Sequence, residues 1–293
     1  MSSILAIDVG GTKLAAGVVG GDGRLLRSAS APTAPTRDAE ELFDALARLV
    51  DEVRGGDEAA CGVGCGGPMT AGGEAVSPLN IPAWRDFPLR ARLAAHVGLS
   101  TFVDNDAKAL ALGEGWCGAA SGEANFVAMV VSTGVGGGIV LDGRLLDGAA
   151  GNAGHIGHVI VEPDGRLCAC GAVGCLEAEA SGPSIAAMTG KAAAEAGPDV
   201  VERTGRLVGR AVASVANLLD LRLAVVAGSV ALGFGPPFFA AAQAELDRST
   251  RLSFSAGTRI VPAGLGPAGP LIGAAAVARR SVPSLAAGPP TDR

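Results

Sequence analysis

Residues 4–19 read ILAIDVGGTKLAAGVV. An apolar run, residues 4–7, leads to Asp8 and Val9, then to Gly10-Gly11-Thr12-Lys13, then to a second apolar run, residues 14–19. The pattern predicts a strand, a glycine turn and a second strand. Gly20-Gly21-Asp22-Gly23 supplies another turn, and a third strand is predicted near Leu25. From Phe126 the plan restarts. Residues 126–131 form a predicted strand, Ser132-Thr133-Gly134-Val135-Gly136-Gly137-Gly138 a glycine turn and residues 139–141 a strand. Asp142-Gly143 is again a turn, and Leu145 begins a third short strand. Two copies of one unit predict two related α/β domains facing each other.

The remaining pattern suits that class. A helix is predicted over 38–54, with Asp38 and Glu41 at capping-box spacing and Leu42, Leu46, Leu49, Val50 and Val53 on one face. Strands near 61–65 and 102–103 bracket a loop-rich segment, and Asn105 opens a helix through Trp116. Helices over 205–219, 237–248 and 271–280 alternate with strands over 223–227 and 258–261, as α/β folds require. A Pro- and Gly-containing tail from Ser284 is predicted to fray.

The chain has 293 residues and is 48% hydrophobic, enough for two domains or one large one. With 23 Lys and Arg against 29 Asp and Glu, the net charge is −6. An acidic chain without basic runs speaks against nucleic acid as the main partner. Phosphate stays open to it, because backbone N–H groups bind anions without net positive charge. No apolar run is long enough to span a bilayer, and Met1-Ser2-Ser3 lacks the charged start of a signal peptide. The expectation is a cytoplasmic protein with reduced cysteines and no membrane partner.

At the first turn, glycines let the backbone approach an anion, Thr12 and Lys13 add donors, and Asp8 is placed to hold Mg²⁺. A plain hairpin turn with a surface lysine explains the same residues. The second turn, 133–138, makes a phosphate clamp the better reading of the pair. Gly62-Val63-Gly64-Cys65-Gly66-Gly67 matches G-x-G-x-x-G, but the following Pro68-Met69-Thr70-Ala71-Gly72-Gly73 will not open a helix, so a dinucleotide site is not expected. Asp104-Asn105-Asp106 follows a strand and starts a helix. Capping accounts for part of it; an Asp there is also well placed to accept a hydroxyl proton. Finally, His158, Cys168, Cys170 and Cys175 form H-x9-C-x-C-x4-C, the four N/S ligands of a closed, structural tetrahedral zinc site that staples a loop over 155–177.

Taken together, the motifs DVGGTK at 8–13, STGVGGG at 132–138, CACGAVGCLE at 168–177, AGSV at 227–230 and the segment 269–276 resemble the ROK family of sugar kinases and repressors over nearly the whole chain. The resemblance implies an actin-like, ribonuclease-H-like pair of α/β domains around a cleft. Residues 1–118 would form the sugar-side domain, with the helix 270–283 open to rejoin it, and residues 119–269 the domain with the zinc loop and adenosine loop. It implies transfer of the ATP γ-phosphoryl group to a hexose, most simply the 6-hydroxyl of glucose, with N-acetylmannosamine or another amino sugar as the alternative. A non-catalytic sugar sensor on the same fold is the rival from another class. Asp106 would be the general base. Asn80, Asn105, the Gly66-Gly67 backbone, His155, His158 and Glu177 would contact sugar. Asp8, Gly10, Gly11, Thr12, Lys13, Thr133, Gly134 and Gly228 would bind nucleotide. Cofactors would be ATP, Mg²⁺ and structural Zn²⁺, and the assembly a homodimer or homotetramer. With a strand predicted at Ile4, the helix-turn-helix that the family's repressors carry ahead of it is not expected here. One position departs from the family: His155 stands where E-x-G-H has Glu, which bears on sugar identity.

Overall fold

The computed structural model describes residues 2–286. The first unit begins with β1 (Ser3–Val9), β2 (Lys13–Val19) and β3 (Leu25–Pro32), an antiparallel meander. After α1 (Ala39–Val53), β4 (Glu58–Cys65) pairs parallel to β1. Then follow α2 (Leu89–Val97), β5 (Thr101–Asn105), parallel to β4, and α3 (Asp106–Cys117). The sheet order is β3-β2-β1-β4-β5.

The second unit repeats this order. β6 (Phe126–Val131), β7 (Val135–Leu141) and β8 (Arg144–Leu145) form the meander. The helices α4 (Leu176–Ala180), α5 (Gly182–Thr189) and α6 (Pro198–Leu219) precede β9 (Leu223–Ala227), which lies parallel to β6. After α7 (Ser229–Phe234) and α8 (Pro236–Ser249) comes β10 (Arg259–Pro262), parallel to β9. The order is β8-β7-β6-β9-β10, the first sheet over again. The final helices α9 (Gly269–Ser281) and α10 (Pro283–Ala286) return to the first unit. That unit comprises the chain up to Gly118, Asp147–Asn152 and the chain from Leu265; the second comprises Ala119–Leu146 and Ala153–Gly264.

Each unit has its own core. In the first, α1 buries Leu42, Leu46 and Val50 against one sheet face, together with Trp84 and Phe87, whose rings stack at 4.6 Å. The other face is covered by α9, whose Ala274, Ala275 and Ala278 pack on Ala6, Ala15 and Ala60. These small side chains bring the helix close. A Cβ on Gly62 would lie 2.0 Å from the Ala274 carbonyl oxygen, and one on Gly273 2.6 Å from that of Ala109 in α3. The helix that starts at Asp106 is thereby fixed against both α9 and the sheet. In the second unit, Val127, Met129, Leu207, Val208, Val212, Phe238 and Leu246 form the core.

Several elements differ from expectation. The second glycine turn ends at Gly134, and Gly136, Gly137 and Gly138 belong to β7. At Gly137 the chain around Gly154 and Ile156 presses on that strand; a Cβ there would lie 3.0 Å from Ile156 Cγ2 and 3.2 Å from the Gly154 carbonyl oxygen. The loop-rich segment contains α2, a helix without a strong apolar stripe, closed by Gly98 at φ 69°. The zinc stretch is not devoid of regular structure: a 3₁₀ turn spans Ile156–His158, and Glu177 lies in the first turn of α4. Helix α6 begins at Pro198 rather than near 205, since proline is accepted at a first helical position. The capping box at Asp38 is half formed: its side chain accepts from the Glu40 and Glu41 N–H groups, while Glu41 accepts from Thr36. Ser284 lies in α10, where Leu285 packs towards the α9 core, so the chain is helical there; residues 287–293 lie outside the described residues.

Candidate active site

In the first unit, the parallel strands β1, β4 and β5 set Asp8, Gly64 and Asp104 side by side in register. Ligands of open α/β sheets bind beyond such carboxyl ends. Gly64 contributes no side chain to this row. A Cβ there would lie 3.8 Å from Asp8 Oδ1 and 3.7 Å from Asp106 Cα, so the two aspartates flank it. Burial, then the negative charge of Asp106, push the Asp8 carboxyl up to about 7, although Lys13 pulls the other way. Two mutually repelling carboxylates at one strand edge suit a hard divalent cation, whose preferred ligands are oxygens.

All three polar residues at the start of α3 have local partners. The Asp104 carboxylate accepts from the Asn105 N–H (2.8 Å) and lies 3.2 Å from Lys108 Nζ. Asn105 caps the helix, its Oδ1 accepting from Ala107 and Lys108 N–H groups, so the plain capping reading is true for this residue. Its Nδ2 lies near Gly67. Asp106 Oδ1 accepts from the Ala107 N–H at 2.8 Å.

The turn after β1 is a pinned hairpin. The Gly10 N–H donates to the Lys13 carbonyl (3.0 Å), and the Thr33 hydroxyl donates to the Gly10 carbonyl (2.7 Å). Gly10 therefore uses its N–H inside the turn, while Gly11, Thr12 and Lys13 are exposed. Beside it lies the loop carrying Asn80. Leu79 N–H donates to the Gly67 carbonyl, Arg85 donates to the carbonyls of Pro78, Ile81 and Trp84, and Trp84 Nε1 donates to Ala39. Gly66, Gly67, Asn80 and Asn105 thus converge. The G-x-G-x-x-G stretch opens no α-helix after β4; Gly62 makes room for α9, and Gly64 lies between the two aspartates.

In the second unit, Ser132, Thr133 and Gly134 link β6 to β7, with the Ser132 N–H closing on the Gly134 carbonyl. The Ser132 hydroxyl lies 2.8 Å from that of Ser229, the first residue of α7. Gly228 precedes it at φ 101°, and a Cβ there would lie 2.3 Å from the Val131 carbonyl oxygen, so no other residue fits. Glu177 Oε2 accepts from the Val135 N–H at 2.9 Å, which ties α4 to the turn.

His158, Cys168, Cys170 and Cys175 come together, each offering one ligand atom within 4.8 Å of the others. Cys168 Sγ lies 3.8 Å from His158 Nδ1, and Cys170 Sγ lies 3.7 Å from Cys175 Sγ. A zinc tetrahedron with Zn–S bonds of 2.3 Å has edges of roughly 3.8 Å, so the donors are spaced as that metal needs. Using Nδ1 leaves the other ring nitrogen of His158 on the far side. His155 is exposed one 3₁₀ turn away, its ring 6.0 Å from that of His158.

Sequence reasoning missed the residues that brace these groups. Lys108 is buried, its Nζ on Asp147 (2.8 Å), Asp104 and the Gly151 carbonyl, with Arg280 bridging the same two aspartates. Its signal was the i, i+4 spacing from Asp104. Glu179 is buried next to the metal loop, accepting from the Arg166 N–H (2.6 Å) and pairing with Arg203 (2.5 Å). A second acid in the otherwise apolar Leu176–Ala180 helix was its only mark.

Comparison with known proteins bears on this geometry. The ROK family model matches residues 4–281. A glucokinase of Thermotoga maritima is 40% identical over 62% of this chain and 58% of its own length. An N-acetylmannosamine kinase of Escherichia fergusonii is 37% identical over 79% of this chain and 84% of its own. Among solved structures, a ROK family glucokinase from Streptomyces griseus, in complex with glucose and AMPPNP, is 32% identical with a TM-score of 0.82, covering 95% of this chain and all (100%) of that one. A ROK hexokinase from Thermus thermophilus is 34% identical with a TM-score of 0.82 over 96% and 99%. The two five-stranded sheets therefore have the actin-like ATPase fold.

Proposed function

The chain belongs to the ROK family and is a sugar kinase, and from that premise we propose that it transfers the γ-phosphoryl group of ATP to the 6-hydroxyl of glucose. The observation that carries the reading is the pair Asp8 and Asp106 on either side of Gly64 at the ends of parallel strands. Asp106 takes the proton as the sugar oxygen attacks the γ-phosphorus and the bond to the ADP oxygen breaks. Such help is typically worth ~10²–10⁴-fold. Phosphoryl transfer otherwise asks for positioning and charge stabilisation. Asp8 is the residue that would hold Mg²⁺, which would supply neutralisation of the phosphate charge when bound with ATP.

Asn80, Asn105, the Gly66-Gly67 backbone, His155, His158 and Glu177 bind the sugar in this reading. Gly11, Thr12, Lys13, Thr133, Gly134 and Gly228 hold the nucleotide, with Gly10 shaping the first turn. His158, Cys168, Cys170 and Cys175 would hold zinc; four protein ligands would leave no open position, so the metal would pin the loop. Among the described residues no helix is long and apolar enough to cross a membrane. A homodimer or homotetramer is the proposed assembly.

N-acetylmannosamine as acceptor is the second reading. It is favoured by the kinases for that sugar that align over most of this chain, and by His155, which offers a donor where a carboxylate only accepts. A sugar sensor without catalysis is disfavoured by the presence of Asp106. ADP release measured with glucose, mannose, glucosamine and N-acetylmannosamine separates these readings. Glucose is expected to give the highest kcat/KM. A preference for N-acetylmannosamine establishes the second reading, and silence with every sugar rejects both.

A further inference from the structure

Glycines of phosphate turns are ordinarily explained by anion approach or by positive φ. Gly11 has its φ outside the left-handed region, so its backbone does not demand glycine. Space does. A Cβ on Gly11 would lie 2.5 Å from Asn80 Cβ and 3.4 Å from the Asn80 carbonyl oxygen. The Asn80 loop cannot retreat easily, because Arg85 holds three of its carbonyls and Trp84 anchors it in the core. The second unit repeats the arrangement: a Cβ on Gly134 would lie 3.0 Å from Glu177 Oε2, which is itself held by the Val135 N–H.

We propose that Gly11 is a positioning residue for the sugar, seating Asn80 through its missing side chain, and that Gly134 seats Glu177 in the same way. The inference rests on the reading of Asn80 and Glu177 as sugar contacts. It makes each nucleotide turn the floor beneath a sugar residue of its own unit. A substitution in the turn is then felt first by the sugar.

The test is calorimetry on the full chain, with D-glucose in the absence of nucleotide and Mg²⁺-AMPPNP in the absence of sugar. Gly11→Ala is expected to weaken glucose binding roughly tenfold, the scale of a forced shift in a packed site, and to weaken AMPPNP, which the same turn holds, by a clearly smaller factor. Asn80→Gly alone weakens glucose. In that background Gly11→Ala has no further effect, because the atom it would strike is gone. Gly134→Ala is expected to cost less, about two- to threefold, since a carboxylate oxygen at 3.0 Å yields by a few tenths of an ångström. If Gly11→Ala fails to fold, the double variant with Asn80→Gly is expected to recover the melting temperature. Lack of recovery overturns the proposal. So does a Gly11→Ala that loses AMPPNP and keeps glucose while Asn80→Gly loses glucose; that result leaves the sugar role of Asn80 standing. Unchanged glucose binding in Asn80→Gly removes that role, and the proposal with it.

Discussion

Asp8 sits in an environment unlike that of a surface carboxylate. Its pKa is raised from 3.8 to about 7, first by burial and then by Asp106. The folded state therefore holds a proton that the unfolded state releases near pH 4. As pH rises from about 4 to 7 the folded state loses stability relative to the unfolded one, and above 7 the loss is complete. In the metal- and nucleotide-free protein, Asp8→Asn should flatten this decline by about 1–3 kcal/mol. Urea denaturation of both proteins at pH 5 and pH 8 checks it; parallel curves would contradict the assignment. His155 carries a second expectation. A glutamate there accepts hydrogen bonds and attracts an amine, whereas imidazole also donates. His155→Glu should shift relative kcat/KM among glucose, mannose and their 2-amino forms by roughly two- to tenfold, with ATP affinity unchanged. Ratios constant within about twofold would mean that this side chain does not face the sugar.

Among the elements, α3 and the metal loop are each held by ion pairs with a buried member. Lys108 is 3% exposed and joins α3 to Asp104, Asp147 and the Gly151 carbonyl. Burial pushes the Asp147 carboxyl up, but Lys108 and Arg280 more than offset it, so the net shift is downward. Lys108→Met leaves the two carboxylates with Arg280 alone, and removes the buried one of their two shared cations. The expected loss is about 2–4 kcal/mol, less than for a fully buried pair because Asp147 is half exposed. Lys108→Arg should recover part of it in the same thermal melt; an unchanged melting temperature in Lys108→Met would show the network to be idle. The metal loop is held at one end by Glu179 with Arg203 and at the other by its own ligands. Fresh protein should carry close to one zinc per chain, and Cys170→Ser should lose it and weaken glucose more than AMPPNP. Metal analysis finding no zinc in the purified protein would refute this. These two elements also show where sequence reading stops. The Cys and His spacing announced its cluster, because ligands of one metal must lie close. Lys108, Arg280 and Asp147 lie far apart along the chain, and no local pattern joins them.

At the scale of the whole molecule, the repeated strand–turn–strand pattern was readable because both copies keep apolar strands and glycine turns. The structure returns it as two sheets of identical order. Turn boundaries were less legible: Gly136, Gly137 and Gly138 look like a loop in sequence, but are strand residues, and at Gly137 the chain that packs on the strand leaves no room for a side chain. Helix α2 was hidden for the opposite reason, lacking a strong stripe despite a clear glycine stop. Asp106 stood out by its place between strand and helix, but Asp8 became its neighbour only when β1, β4 and β5 aligned. The central claim is that this chain phosphorylates a hexose with Asp106 as the base. Its most direct test is ³¹P NMR of ATP, Mg²⁺ and glucose with the wild-type protein and Asp106→Asn side by side. The account predicts ADP and glucose 6-phosphate in equal amounts from the wild type, and a rate at least ~10²-fold lower from the variant, with glucose still bound. No sugar phosphate from the wild type, or a variant within about tenfold of it, would contradict the account.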